Sequence, residues 1–202
     1  MVFNKIKYYR YTLISLVLSV LLFSSCEEKA FNFVLNIDDT YEFDIFDDGI
    51  FSVATEISQS AILEDIEIES DAEIEDVNIE SFAVRVTTLN GNAAEGVSLN
   101  GYIYPNGDIN ETPIPVFENL VVNGNEASNF ISIDQLNNAG INAFASKLLG
   151  YINETDIEDF AFQLNGTSLP SGSNIAATVE LKMRATVKFK ENLEVPFFMG
   201  DE

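Results

Sequence analysis

From residue 31 onward, apolar and polar positions alternate with a period of two, the spacing that sends successive side chains to opposite faces of a strand. Phe31, Phe33, Leu35 and Ile37 form one row against Asn32 and Asn36, and Tyr41, Phe43 and Ile45 form another against Glu42 and Asp44. Asp38-Asp39-Thr40 between them predicts a turn, Asp47-Asp48-Gly49 predicts a second, and Phe51, Val53, Thr55 and Ile57 then face one way. Residues 62–80 keep the rhythm despite their acidity: Ile66 and Ile68 alternate with Glu67 and Glu69, and Val77 and Ile79 with Asn78 and Glu80. A disordered acidic tail has no such rhythm, so two strands separated by Ser70-Asp71-Ala72 are predicted. The inward parity then slips from odd at Val77 and Ile79 to even at Phe82, Val84 and Val86, which a bulge near Glu80-Ser81 restores.

Turn chemistry punctuates the next stretch. Asn90-Gly91-Asn92 leads to a strand from Val97 to Tyr104, and Pro105-Asn106-Gly107-Asp108 turns the chain again. Pro113 and Pro115 allow only an edge or irregular strand before Val116 to Val122. Ser132 and Gln135 have capping-box spacing ahead of a helical stripe of Ile133, Leu136, Ile141, Phe144, Leu148 and Tyr151, with Gly140 expected to split it and Gly150 to end it. After Phe160, Phe162 and Leu164, a turn-rich segment from Asn165 to Asn174 precedes the longest alternating run. There Val179, Leu181, Met183, Ala185, Val187 and Phe189 share one face, opposite Glu180, Lys182, Arg184, Thr186, Lys188 and Lys190. These elements predict an all-β fold: an antiparallel β-sandwich, immunoglobulin-like in general shape, with one short helical connection. The Cys and Trp landmarks of an antibody domain are absent.

The beginning of the chain obeys a different pattern. Lys5, Lys7 and Arg10 precede an apolar run from Thr12 to Phe23, too short for a spanning helix and of the length of a secretory signal. Leu22-Phe23-Ser24-Ser25-Cys26 then ends in the chain's single cysteine. This resembles the lipobox of bacterial lipoproteins, which signal peptidase II cuts just before a diacylglyceryl-modified cysteine; Phe23 stands where Leu is usual, with Leu22 one place further back. The resemblance implies a signal peptide over 1–25, a lipidated acidic tether over 26–30, and a single domain over 31–202. It also implies lipidation at Cys26, and two or more acyl chains hold a protein stably on a bilayer. Cys26-Glu27-Glu28-Lys29 is similar to the acidic start of surface lipoproteins of Bacteroidota-type bacteria, and the rhythm of the mature region resembles their small β-sandwich lipoproteins. That likeness implies an outer-membrane location, with cell-surface display expected and the periplasmic face left open.

Charge and composition narrow the chemistry. All 33 acidic residues follow Cys26 while three of the ten basic ones precede it, so the mature part sets 7 basic against 33 acidic residues, net −26. Such a surface repels nucleic acid, so no nucleic-acid partner is expected. With no histidine and no second thiol, Ser-His-Asp and Cys-His catalysis and the common zinc sites are excluded. No catalytic activity and no cofactor are expected; a carboxylate glycosidase is the remaining catalytic option. Calcium is the one candidate ion, at Asp38, Asp39, Asp44, Asp47 and Asp48, which read equally as a solvated rim. Tyr102 and Tyr104 share a strand face and offer a glycan platform, or pack against a neighbouring loop or sheet. Lys182, Arg184, Lys188 and Lys190 either match acidic rows such as Glu67 and Glu69 across strands or dock an acidic partner. The expected role is a lipid-anchored interaction or accessory protein beside another outer-membrane or surface protein; the alternative is a surface module binding glycan or calcium.

Overall fold

The computed structural model describes residues 26–63, 68, 72–124 and 129–196. The basic and apolar leader, Glu67 and Glu69, and the tail from Phe197 lie outside the described residues. In chain order the elements are β1 (Cys26–Asp47), β2 (Ile50–Ile57), α1 (Gln59–Leu63), β3 (Glu73–Thr88), β4 (Gly96–Tyr104), β5 (Ile114–Asn123), β6 (Ile131–Ser132), α2 (Asn138–Ile152), β7 (Phe160–Leu169) and β8 (Ile175–Pro196). They build two sheets, ordered β1-β8-β3-β6 and β2-β7-β4-β5, with every pairing antiparallel. The expected antiparallel β-sandwich is therefore present. Its strand order, with the last strand lying between the first and third, specifies the connectivity further as a jelly roll of two Greek keys.

The spine of the first sheet is β8, whose inward row Val179, Leu181, Met183, Ala185 and Val187 is fully buried. It pairs with β1 without a break from Cys26 opposite Pro196 to Asp47 opposite Ile175. No turn interrupts β1 at Asp38-Asp39-Thr40, because Ile37, Tyr41, Phe43 and Ile45 keep one parity across it and Asp39 simply takes an inward slot opposite Met183. The same ladder carries the backbone of residues 26–30, the segment expected to be a tether. The bulge expected near Glu80-Ser81 is present as a register shift between Ile79 and Ser81. Ile62 and Leu63, expected to start a strand, instead form the short helix α1, where the Ser58 hydroxyl accepts from the Ala61 N–H at 3.2 Å. As the prolines required, β5 is an edge strand.

Helix α2 closes one end of the sandwich. Asn137, rather than Ser132, caps it, its side-chain oxygen accepting from the Ala139 N–H at 3.0 Å. The helix runs through Gly140 unbroken. A Cβ there would lie 2.3 Å from the Pro115 carbonyl oxygen, so the glycine allows helix and β5 backbone to touch. Phe144 then reaches both sheets, its ring edge-on to Phe82 of β3 at 5.5 Å and to Phe160 of β7 at 5.0 Å. β7 extends to Leu169, so Asn165, Gly166 and Thr167 lie in a strand where a turn was expected. Gly166 makes this possible, since a Cβ would meet the Phe51 ring at 2.3 Å.

Candidate functional site

The two sheets present opposite chemistry to solvent. Outward from β3 and β8 stand Arg85, Lys182, Arg184, Lys188 and Lys190. Lys182 and Arg184 share Asp38, at 3.5 Å and 3.0 Å. Lys190 pairs with Glu75, and Arg85 grips Glu180 through two nitrogens while lying 4.6 Å over the Phe130 ring. Lys188 alone of the four β8 cations has no ion pair among the described residues. The candidate docking stripe is thus largely neutralised across strands, by Asp38 and Glu75. These are surface pairs, worth about 0.2–1 kcal/mol each.

The five aspartates named for calcium do not come together. Asp38 is held below the usual carboxylate range chiefly by the Arg184 hydrogen bond. Asp44 accepts from the Thr178 hydroxyl at 2.7 Å, roughly 20 Å further along β1 at the usual rise per residue. Asp39 and Asp47 each bind the next residue's N–H at 2.7 Å, and Asp48 is exposed in the turn. Among the described residues no three Asp, Glu or Cys side chains converge. Asp39 lies beside Tyr41, whose buried hydroxyl has no hydrogen-bond partner among the described residues; burial pushes that phenol far above its usual range.

At the α2 end a lysine is buried. Lys147 is 5% exposed, and its Nζ donates to Asp156 Oδ2 at 2.7 Å and to the Glu158 carbonyl at 3.3 Å. The hydroxyl of fully buried Tyr151 donates to the same carbonyl at 2.7 Å, and burial pushes its pKa up to about 12. This is a clasp between α2 and the loop entering β7. Removing Asp156 strands an ammonium without water, whereas removing Lys147 leaves a carboxylate that solvent already reaches. Asp156→Ala is therefore expected to cost about 3 kcal/mol in urea unfolding at neutral pH, and Lys147→Met about 1 kcal/mol. The Lys147 hydrogen bond lowers the Asp156 pKa from the ordinary 3.8. The carboxylate's contribution is complete above that value and disappears as pH falls through the lower folded one. The gap between the native chain and Asp156→Ala should close in that acid window; a gap unchanged by acid, or a costlier Lys147→Met, would refute the clasp.

The outer face of the second sheet is different. Its two central strands, β7 and β4, present Gln163, Asn165, Thr167, Ser98, Asn100 and Tyr102 outward, none of them charged. Register aligns Ser52 of β2, Asn165 of β7 and Asn100 of β4 in one row across three strands, with Ala54, Gln163 and Tyr102 in the next. Between Ile50, Ser52, Asn100, Asn165 and Thr167 lies a shallow groove of about 490 Å³. Polar groups on and beside this groove are held by hydrogen bonds. Tyr104 donates to Gln163 Oε1 at 2.7 Å, Gln163 Nε2 donates to Ser52 Oγ at 2.9 Å, and Asn100 Oδ1 accepts from the Asn119 N–H at 2.8 Å. Asn119 adopts a left-handed φ of 57° at the bulge where β5 shifts register. Asn165 Oδ1 is buried and has no partner among the described residues. Such an orphan costs about 1–3 kcal/mol in desolvation.

The tyrosine pair divides its labour. Both rings lie on this face, but Tyr104 is 4% exposed and serves the Gln163 network, while Tyr102 remains half-buried beside the groove. Burial, with Glu118 and Tyr104 adding, raises the Tyr102 hydroxyl above its usual range. Sequence reasoning passed over Ser52, Asn100, Gln163 and Asn165. The signal that pointed to them was Leu164 followed by Gly166, which continues the inward parity of Phe160 and Phe162 through the supposed turn.

No family model matches the chain, and no curated protein matches it. Among solved structures it is similar to the BFDV capsid protein in its decameric form, at 11% identity and TM-score 0.38, over 79% of this chain and 99% of that one. It is also similar to the infectious bursal disease virus Gx strain structure, at 13% identity and TM-score 0.34, over 80% of this chain and 37% of that one. Turnip Yellow Mosaic Virus follows at 8% identity and TM-score 0.30, over 84% of this chain and 99% of that one. Likeness at these values carries no functional argument.

Proposed function

We propose that the mature chain is a non-catalytic interaction or accessory protein, tethered to the outer membrane through acylated Cys26 and facing the cell surface. The observation that carries this reading is the basic, apolar and Ser24-Ser25-Cys26 succession, which runs directly into a folded acidic domain. The paired backbone of β1 and β8 supports it: the ladder includes Cys26, opposite Pro196, so a lipid on that residue would hold the sandwich without slack. At the usual rise, β1 carries its far turn up to about 70 Å from the cysteine, well clear of a headgroup layer. Extraction of native membranes in mild detergent after crosslinking tests the accessory role. A stable outer-membrane partner should co-purify, and a protein that extracts alone at every condition tried rules it out.

A second reading is favoured by one observation, the uncharged face of β7 and β4 on so acidic a chain. There the sandwich acts as a surface module for a glycan. The groove lining contains no carboxylate, so the two acids of a glycosidase are not supplied by it.

A further inference from the structure

We infer that the groove across β2, β7 and β4 is a binding site for an uncharged oligosaccharide, with Asn165 and Asn100 as its hydroxyl-binding groups and Tyr102, on the adjoining row, as the aromatic ring an extended ligand meets beyond the groove. The inference rests on the glycan reading above and adds its site and its ligand class. Four observations converge on it. The first is charge: with 33 acidic residues in the chain, the outward rows of β7 and β4 contain none, and no cation either. An anionic ligand finds no counter-charge in the lining and is repelled by the rest of the molecule, and a metal ion finds no carboxylate there.

The second is Asn165, a residue of the groove lining whose amide oxygen is buried without a partner among the described residues. A half-turn of the amide exchanges its oxygen and nitrogen, and a sugar hydroxyl, which donates as well as accepts, pairs with whichever of the two faces the groove. The third is preparation: Tyr104, Gln163 and Ser52 form a connected chain of hydrogen bonds that ends in the groove lining at Ser52, so that side of the site is ordered before any ligand arrives. The fourth is Tyr102, half-buried on the β4 row next to Asn100 and opposite Gln163, which sets an aromatic face beside the amides. An apolar ligand would leave these amides unpaired, and a hydroxyl-rich one would not.

The test uses the purified mature protein, in detergent if Cys26 is acylated, with maltohexaose, xylohexaose, mannohexaose and hexagalacturonate as probes. The mature part has four tyrosines and no tryptophan, so a change in tyrosine emission is assigned to Tyr102 by its loss in Tyr102→Ala, and calorimetry gives the affinity. At least one uncharged hexasaccharide should bind with a Kd below about 1 mM, and hexagalacturonate should not bind. Asn165→Ala and Tyr102→Ala should each weaken binding roughly tenfold or more, while Lys188→Ala on the opposite face leaves it unchanged. Asn165→Ala should not lower the thermal midpoint, since it removes an unpaired group, and isosteric Asn165→Asp should also abolish the saccharide response. If no uncharged hexasaccharide binds at about 10 mM, the glycan reading fails together with the site. If one binds but survives both groove substitutions, the site fails and the reading stands. Equal binding of hexagalacturonate overturns the charge argument.

Discussion

Phe144→Ala is expected to lower the free energy of unfolding by about 3–5 kcal/mol, the range for deleting a fully buried aromatic ring. The ring is 0% exposed and touches Phe82 in one sheet and Phe160 and Phe162 in the other. It is the side chain through which α2 joins the two layers. These neighbours sit on two strands of opposite sheets, β3 and β7, and no single small movement collapses the space left behind. For a domain of this size the loss corresponds to a fall in thermal midpoint of roughly 10 °C. Urea unfolding monitored by far-ultraviolet dichroism measures it, with Phe46→Ala as the reference. Phe46 is 70% exposed, so its truncation should stay within about 0.5 kcal/mol. A Phe144→Ala cost under about 1 kcal/mol would mean that the helix is an ornament on the sandwich rather than its end wall.

On the proposed anchoring, Cys26→Ser should move the protein out of the outer-membrane fraction altogether. Serine offers no sulfur for a diacylglyceryl group, and each buried methylene of an acyl chain is worth about 0.8 kcal/mol, so acyl chains at Cys26 would supply essentially all of the membrane affinity. The remainder of the surface, at 7 basic to 33 acidic residues, is repelled by anionic headgroups. Fractionation followed by mass spectrometry reads the result: native protein with an acylated amino-terminal cysteine in membranes, variant protein without acyl mass elsewhere. Native protein with a bare thiol and a soluble distribution would remove the anchor from the account. The fold should be indifferent to this change. β1 makes its core contacts from Ile37, Phe43 and Ile45, far along the strand from the cysteine.

Two errors of sequence reading share a cause. Asp38-Asp39-Thr40 and Asn165-Gly166-Thr167 are made of turn-forming residues, and local composition put a turn at each. Both lie inside strands, because the apolar residues on either side hold a single parity and the sheet hydrogen bonds outweigh a local preference. The first error cost only a strand boundary. The second hid the groove, since Asn165 becomes a member of a polar row only once Ser52 and Asn100 are known to flank it. Gly140 misled in the same way. Its reason is the β5 backbone beside it, a neighbour more than twenty residues earlier in the chain that no helical pattern reveals. The basic stripe was legible as a stripe, but its partners Asp38 and Glu75 depend on which strands flank β8.

Period-two alternation, proline and glycine placement and the absence of histidine determined the class of fold, the edge position of β5, the bulge in β3 and the chemistries set aside. All of these are local or compositional properties, carried by each segment wherever it lies. Only the tertiary structure decided the jelly-roll order, the burial of Lys147 and Tyr104, the dispersal of the five aspartates and the row of Ser52, Asn165 and Asn100. Those are matters of which strands become neighbours. Strand pairing between segments more than a hundred residues apart is chosen by the packing of the whole core, not by any stretch within it.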